Sequence, residues 1–166
     1  MGKLHRFLLE GHCYHVTTGT REAAPLLQDP GNARAVVDAL QFLRGDRAYL
    51  LGYAVLPDHF HALLVPRGEQ TISKLMQSVK GYSARVVNAT QGRSGALWQR
   101  SFYDRVMWDE AHLIDVLEYI QLNPVAAGLA GAPEEYPFSS AYVDAETDLK
   151  IFLSGVAEAG KPRLHG

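Results

Sequence analysis

The chain has a single cysteine, Cys13, in 166 residues. That excludes an internal disulfide and a cysteine-rich zinc site. Long apolar runs are also missing. Stretches such as Ala62–Val65 stop at four residues, against the roughly 18 that a membrane-spanning helix needs. Met1–Leu9 holds only a short apolar run, so a signal peptide is not expected. There is no internal repeat and no low-complexity segment. A reducing, cytoplasmic setting is the expectation that follows, with no membrane partner. A surplus of positive charge is lacking too: the net charge is −2, which by itself argues against a nucleic-acid binder.

The distribution of charge argues the other way. Residues 1–66 are balanced. Residues 67–105 carry seven Lys/Arg against only Glu69 and Asp104, and residues 109–166 carry three Lys/Arg against ten Asp/Glu. A chain that is neutral overall can still present a basic middle to phosphate. Apolar residues make up 47%, enough for one real core and too many for a disordered chain. The length suits one domain, read here as 1–141, followed by a short tail, 142–166.

Residue patterns set out the elements. His12–Thr18 is rich in β-formers and predicts a first strand. Asn32–Leu43 has helical apolar spacing, with Asn32 as a candidate cap. Arg47–Leu56 and His59–Val65 read as two strands joined tightly through Pro57 and Asp58. Ser73–Thr90 reads as a long helix and Phe102–Trp108 as a short strand. Asp109 caps a helix over Glu110–Leu122, which Pro124 is expected to stop. After Gly131 the chain is Pro- and Glu-rich and reads as mostly irregular. The order is that of a βαββαβ ferredoxin-like unit with one extra helix. It predicts an α+β fold: an antiparallel sheet with helices on one face and the other face free for a ligand.

Three groups of residues carry chemistry. In His59-Phe60-His61 the strand alternation sends both imidazoles to one face and the ring of Phe60 to the other. Two nitrogens side by side can hold a divalent ion, although such a pair is also common as surface or packed histidine. Tyr119 and Asn123 are four residues apart on one helix face, beside the Leu113/Leu117/Ile120 stripe and on the same flank as His112. They offer a phenol nucleophile with a neighbouring oxygen donor, or simply a half-buried Tyr and an ordinary helix end before Pro124. Finally, Lys80, Arg85, Arg93, Arg100 and Arg105 are interleaved with Tyr82, Trp98, Phe102 and Tyr103. Cations meet phosphates and aromatic faces stack on unpaired bases; a basic helix face followed by a core Trp has the same composition.

Together these features resemble a known family. Leu56-Pro57-Asp58-His59-Phe60-His61 resembles the PDHxH form of the HUH motif. Gly95-Ala96-Leu97-Trp98-Gln99-Arg100, then Asp104-Arg105, resembles a GxLWQR…DR segment. Tyr119 to Val125, then Gly128-Leu129, resembles a YIxxNPVxxGL signature. Tyr14-His15-Val16 and Ser139-Ser140-Ala141 match the edges. The pattern is that of the REP-associated tyrosine transposases, within the insertion-sequence-200-like single-tyrosine HUH transposases, and it runs from Tyr14 to Ala141.

The resemblance implies an enzyme that cuts and rejoins single-stranded DNA at hairpins through a 5′-phosphotyrosine, as a monomer or homodimer. It implies Tyr119 as nucleophile; Tyr82, whose i+4 residue is Val86 rather than a polar partner, and then Tyr103, on a predicted strand, are weaker competitors. His59, His61 and Asn123 become ligands of one Mg²⁺ or Mn²⁺. Many relatives have Gln where this chain has Asn123. Lys80, Arg85, Arg93, Arg100 and Arg105 are the expected DNA contacts, with Trp98 either stacking on DNA or packed in the core. Two rivals remain: a hairpin-binding protein without catalysis, and a phosphodiesterase that uses water.

Overall fold

The computed structural model describes residues 11–159. Four antiparallel strands form one sheet in the order β2-β3-β1-β4: β1 Tyr14–Gly19, β2 Ala48–Leu56, β3 His59–Pro66 and β4 Tyr103–Val106. Four α-helices accompany them: α1 Pro30–Phe42, α2 Ile72–Gln91, α3 Glu110–Ala126 and α4 Leu149–Ala159. The strand and helix order through α3 is the expected ferredoxin-like one. Among the described residues no helix is long and apolar enough to cross a membrane.

Local chemistry sets the helix ends. α1 starts earlier than its apolar spacing suggests, because Asp29 caps it, accepting from the N–H groups of Gly31 and Asn32, with Pro30 in the first turn. Asn32, the expected cap, is buried instead and donates its Nδ2 to Leu26 O at 2.8 Å. Thr71 caps α2 through the Lys74 N–H, and Asp109 caps α3 through the His112 N–H. Pro124 does not stop α3, which runs on to Ala126. One proline costs a helix one hydrogen bond near its end, and the actual stop is Gly128, at φ 75°. There Gly128 N–H donates to Val125 O and Leu129 N–H to Pro124 O, the paired bonds of a Schellman end.

The strand alternation produces two cores. Val16, Tyr53, Val55, Phe60, Ala62 and Leu64 face α1 and α2. Cys13, Leu51, Ala54, Leu56, Leu63, Val65 and Met107 face α3 and Phe152 of α4. The second face is therefore not free for a ligand along its length. Seven apolar side chains there need cover, and α3 and α4 supply it. Only the end of that face carrying Thr17, His59, His61 and Tyr103 is left for polar chemistry.

The chain after Gly131 is more ordered than its composition predicts. It runs along the outer edge of β2. Val55 N–H donates to Phe138 O, Ser140 N–H to Tyr53 O, and Tyr53 N–H to Ser140 Oγ. Farther on, Asp148 N–H donates to Leu50 O, and Asp148 Oδ2 accepts from Leu50 N–H at 2.9 Å. This strap satisfies an edge that would otherwise offer unpaired backbone to another chain.

Candidate active site

The imidazole pair is built by β3. Phe60 turns into the first core, edge-on to Trp98 with centroids 5.3 Å apart. His59 and His61 turn to the opposite face, their rings 5.0 Å apart. Both Nδ1 atoms are already engaged. His59 Nδ1–H donates to Asp58 Oδ1 at 2.7 Å. His61 Nδ1 lies 3.0 Å from Thr17 Oγ1 and 3.1 Å from His15 Nε2. A carboxylate accepts only, so the Asp58 contact puts the His59 proton on Nδ1 and leaves the lone pair on Nε2.

Burial pushes His61 down to about 3, with the neighbouring His59 and His15 adding to the effect. It pushes His15 down to about 4, with Arg105 and His112 adding. Both rings are neutral at pH 7, which is the form that donates to a metal. The donor set suits a divalent cation: an imidazole nitrogen on each of His59 and His61. Among the described residues no three His, Cys, Asp or Glu side chains are grouped to hold a metal ion. Asn123 lies half-buried on α3, one turn beyond Tyr119.

α3 lies across this face and brings its phenol to the pair. The Tyr119 ring stands edge-on to His61, centroids 5.9 Å apart at 76°, and is 57% exposed. His59, His61 and Tyr119 thus meet at one open end of the sheet. Tyr82 does not join them: it lines a groove between α1 and α2 with Asp38, Phe42, Arg47 and Arg85, in the layer across the sheet. Tyr103 is on the same face as the imidazoles, at the edge strand.

The basic residues separate. Arg105 stands opposite His15 in the β1–β4 register and so faces the site. Arg85 lies in the other layer. Arg93 folds back on Asn88 Oδ1 at 3.2 Å, and Arg100 is exposed in the loop before β4. Lys80 Nζ donates to Gln99 O at 2.7 Å, and burial lowers its pKa. It ties that loop to α2. Trp98 is core: it is buried, and its Nε1–H donates to Ser83 Oγ at 3.0 Å.

The parts played by His15 and Thr17 were not legible in the sequence. Their alternation puts them on one face, but only the register of β1 against β3, with Thr17 opposite His61, brings them to the imidazole.

Known proteins agree with this architecture. A REP-associated tyrosine transposase solved bound to a REP hairpin matches with a TM-score of 0.64 and 22% identity, covering 81% of this chain and 79% of that one. That likeness shows the fold. In sequence, the REP-associated tyrosine transposase of Escherichia coli K12 is 21% identical over 146 residues, 87% of this chain and 85% of that protein. A Haemophilus influenzae Rd protein assigned as a REP-associated tyrosine transposase is 27% identical over 105 residues, 57% of this chain and 60% of that protein's length. The family profile described as "Transposase IS200 like" matches residues 9–123. The match of the family profile over more than two thirds of the chain places it in the IS200-like transposase family.

Proposed function

We propose that this protein is a metal-dependent transesterase of single-stranded DNA that binds hairpins and cuts and rejoins strands beside them. The observation that carries the reading is the edge-on contact of Tyr119 with His61. It puts a phenol, half in solvent, beside an imidazole pair in which Asp58 holds the Nδ1–H of His59 and the Nδ1 of His61 lies against Thr17 and His15. The likeness to REP-associated tyrosine transposases, one of them solved bound to a REP hairpin, supports the choice of DNA.

In this reading Tyr119 Oη attacks the scissile phosphorus. The Oη–P bond forms, the P–O3′ bond breaks, and the strand leaves with a 3′-hydroxyl. The phenolic proton passes to water, and the departing oxygen takes one from water. A phenol ordinarily titrates near ~10 and is a weak nucleophile at neutral pH. His59, His61 and Asn123 would hold Mg²⁺ or Mn²⁺, which supplies positive charge for the phosphate oxygens. The phosphotyrosine ester conserves the energy of the broken bond, so rejoining needs no nucleotide cofactor. Arg105, opposite His15 on this face, would contact phosphate.

The test is a covalent trap. Labelled hairpin oligonucleotides from palindromes flanking the protein's own gene are incubated with the protein and Mn²⁺ and run on denaturing gels. We expect an adduct that survives Tyr82→Phe and is lost in Tyr119→Phe and His59→Ala. Cleavage without an adduct, persisting in Tyr119→Phe, would instead support the water-using phosphodiesterase. Binding with no cleavage by the parent protein would support a hairpin-binding protein.

A further inference from the structure

The open end of the second sheet face continues beyond the imidazoles. Thr17 pairs with His61 on one side and with Tyr103 on the other. Residues directly paired across antiparallel strands project to the same face, so His61, Thr17 and Tyr103 form one row. β4 is the edge of the sheet, and Tyr103 is 85% exposed. Two residues along the strand Arg105 projects to the same face, opposite His15, and its Nη2 donates to His112 Nε2 at 3.0 Å. His112 is itself fixed in the first turn of α3, its N–H on the Asp109 cap at 2.8 Å. Asp104, between them and paired with Val16, projects to the other face.

This is an arrangement without a packing purpose. An aromatic ring held in water on an edge strand contributes little burial to the fold. A guanidinium held by an imidazole rather than by a carboxylate keeps its charge for an anion. A ring and a cation two residues apart on one strand face match a base and its phosphate.

We propose that Tyr103 and Arg105 form a nucleotide subsite: the ring stacks on an unpaired base of the strand being cut, and the guanidinium takes a neighbouring phosphate. The proposal rests on the single-stranded DNA reading above and adds where the strand runs. Two strand spacings, about 10 Å, separate Tyr103 from His61. At about 3.4 Å per stacked nucleotide, the base on Tyr103 lies about one to three nucleotides from the phosphate at His61. Every base has a π-face, so this subsite grips the strand without reading its sequence.

The test couples the side chain to a single base. In the Tyr119→Phe background, which cannot form the adduct, binding is measured by fluorescence anisotropy. The probe is a DNA hairpin with short single-stranded flanks, together with a series carrying one abasic site stepped through each flank. Tyr103→Leu should weaken binding of the intact probe roughly 5- to 150-fold, whereas Tyr103→Phe should bind like the parent. One abasic position, within about three nucleotides of the cut, should make parent and Tyr103→Leu equal. Equal binding of the intact probe by parent and Tyr103→Leu would overturn the subsite, as would the same deficit at every abasic position. Loss of the covalent adduct in Tyr103→Phe with Tyr119 intact would also overturn it, because the phenol would then be doing chemistry. The adduct assay separates the two readings. An adduct without coupling removes the subsite alone. Coupling without an adduct removes the transesterase and keeps the subsite.

Discussion

Gly52 is a position where the chain has to lack a side chain. It follows a register irregularity in β2, and α3 packs straight onto its backbone: a Cβ there would lie 2.3 Å from Leu117 Cδ1 and 3.3 Å from Ser140 Oγ. Leu117 is buried in the second core and cannot move without disturbing it. Gly52→Ala should therefore cost about 1–3 kcal/mol, measured by urea unfolding. Adding Leu117→Ala should cost less than the two losses summed, because the clash is then gone; full additivity would show that the contact is not the cause. Asp58 is the opposite kind of residue, half in solvent and contributing little to the core. Its carboxylate holds His59 Nδ1–H, and loss of such an orienting partner ordinarily costs about 10- to 100-fold in metal affinity. Asp58→Asn should weaken Mn²⁺ binding by that range in a titration while the thermal midpoint stays near the parent's. An unchanged affinity would mean that the carboxylate does not set the ring.

Elements join the strap to the sheet through Asp148, which is buried at the start of α4. Its Oδ2 accepts from Leu50 N–H, and Oδ1 accepts from Arg44 Nε at 3.1 Å. Arg44 also reaches Glu146, and these acidic partners raise its pKa. Asp148→Ala leaves a buried strand N–H and a guanidinium short of partners. The cost should be about 2–4 kcal/mol, between that of a lost charged hydrogen bond and that of a broken buried pair, read from denaturant midpoints. A change below about 0.5 kcal/mol would show that α4 docks without it. This joint was illegible in the sequence. Strands β1 to β4, helices α1 to α3 and the opposed directions of Phe60 and the two histidines follow from local composition and spacing, because β-propensity, period two and period 3.6 are local properties. α4 is short, follows a Pro- and Glu-rich stretch, and is anchored by Phe152 against Tyr49. Its order depends on an edge strand a hundred residues away. Pro124 misled for a related reason: a proline is read as a stop, whereas the end of α3 is fixed by Gly128. Lys80 reads as a DNA contact by its charge, and only the fold shows it holding carbonyls of the loop before β4.

At the scale of the whole molecule, the sheet divides the basic residues that looked like one patch. Arg105 shares a face with the imidazoles and Tyr119, while Arg85 lies across the sheet beside Tyr82. A single hairpin touching both would have to wrap an edge of the sheet. β4 at one edge is exposed, and β2 at the other is sealed by the strap. The two edges therefore differ: one is open, the site of the proposed nucleotide contact, and the other is closed by the chain's own backbone. A chain ending at Ala141 would keep the bonds of Phe138 and Ser140 to β2 and lose those of Asp148. It would also lose Phe152 from its place over Tyr49, uncovering apolar side chains of the second face beside an unpaired strand end. Exposed apolar surface next to an open edge promotes association. Compared at equal concentration by size exclusion with light scattering, the truncated chain should form oligomers or aggregates and melt lower than the parent. A truncated chain with the parent's hydrodynamic size and melting temperature would show that residues 142–166 are an appendage, and that β2 closes its own edge with Phe138 and Ser140 alone.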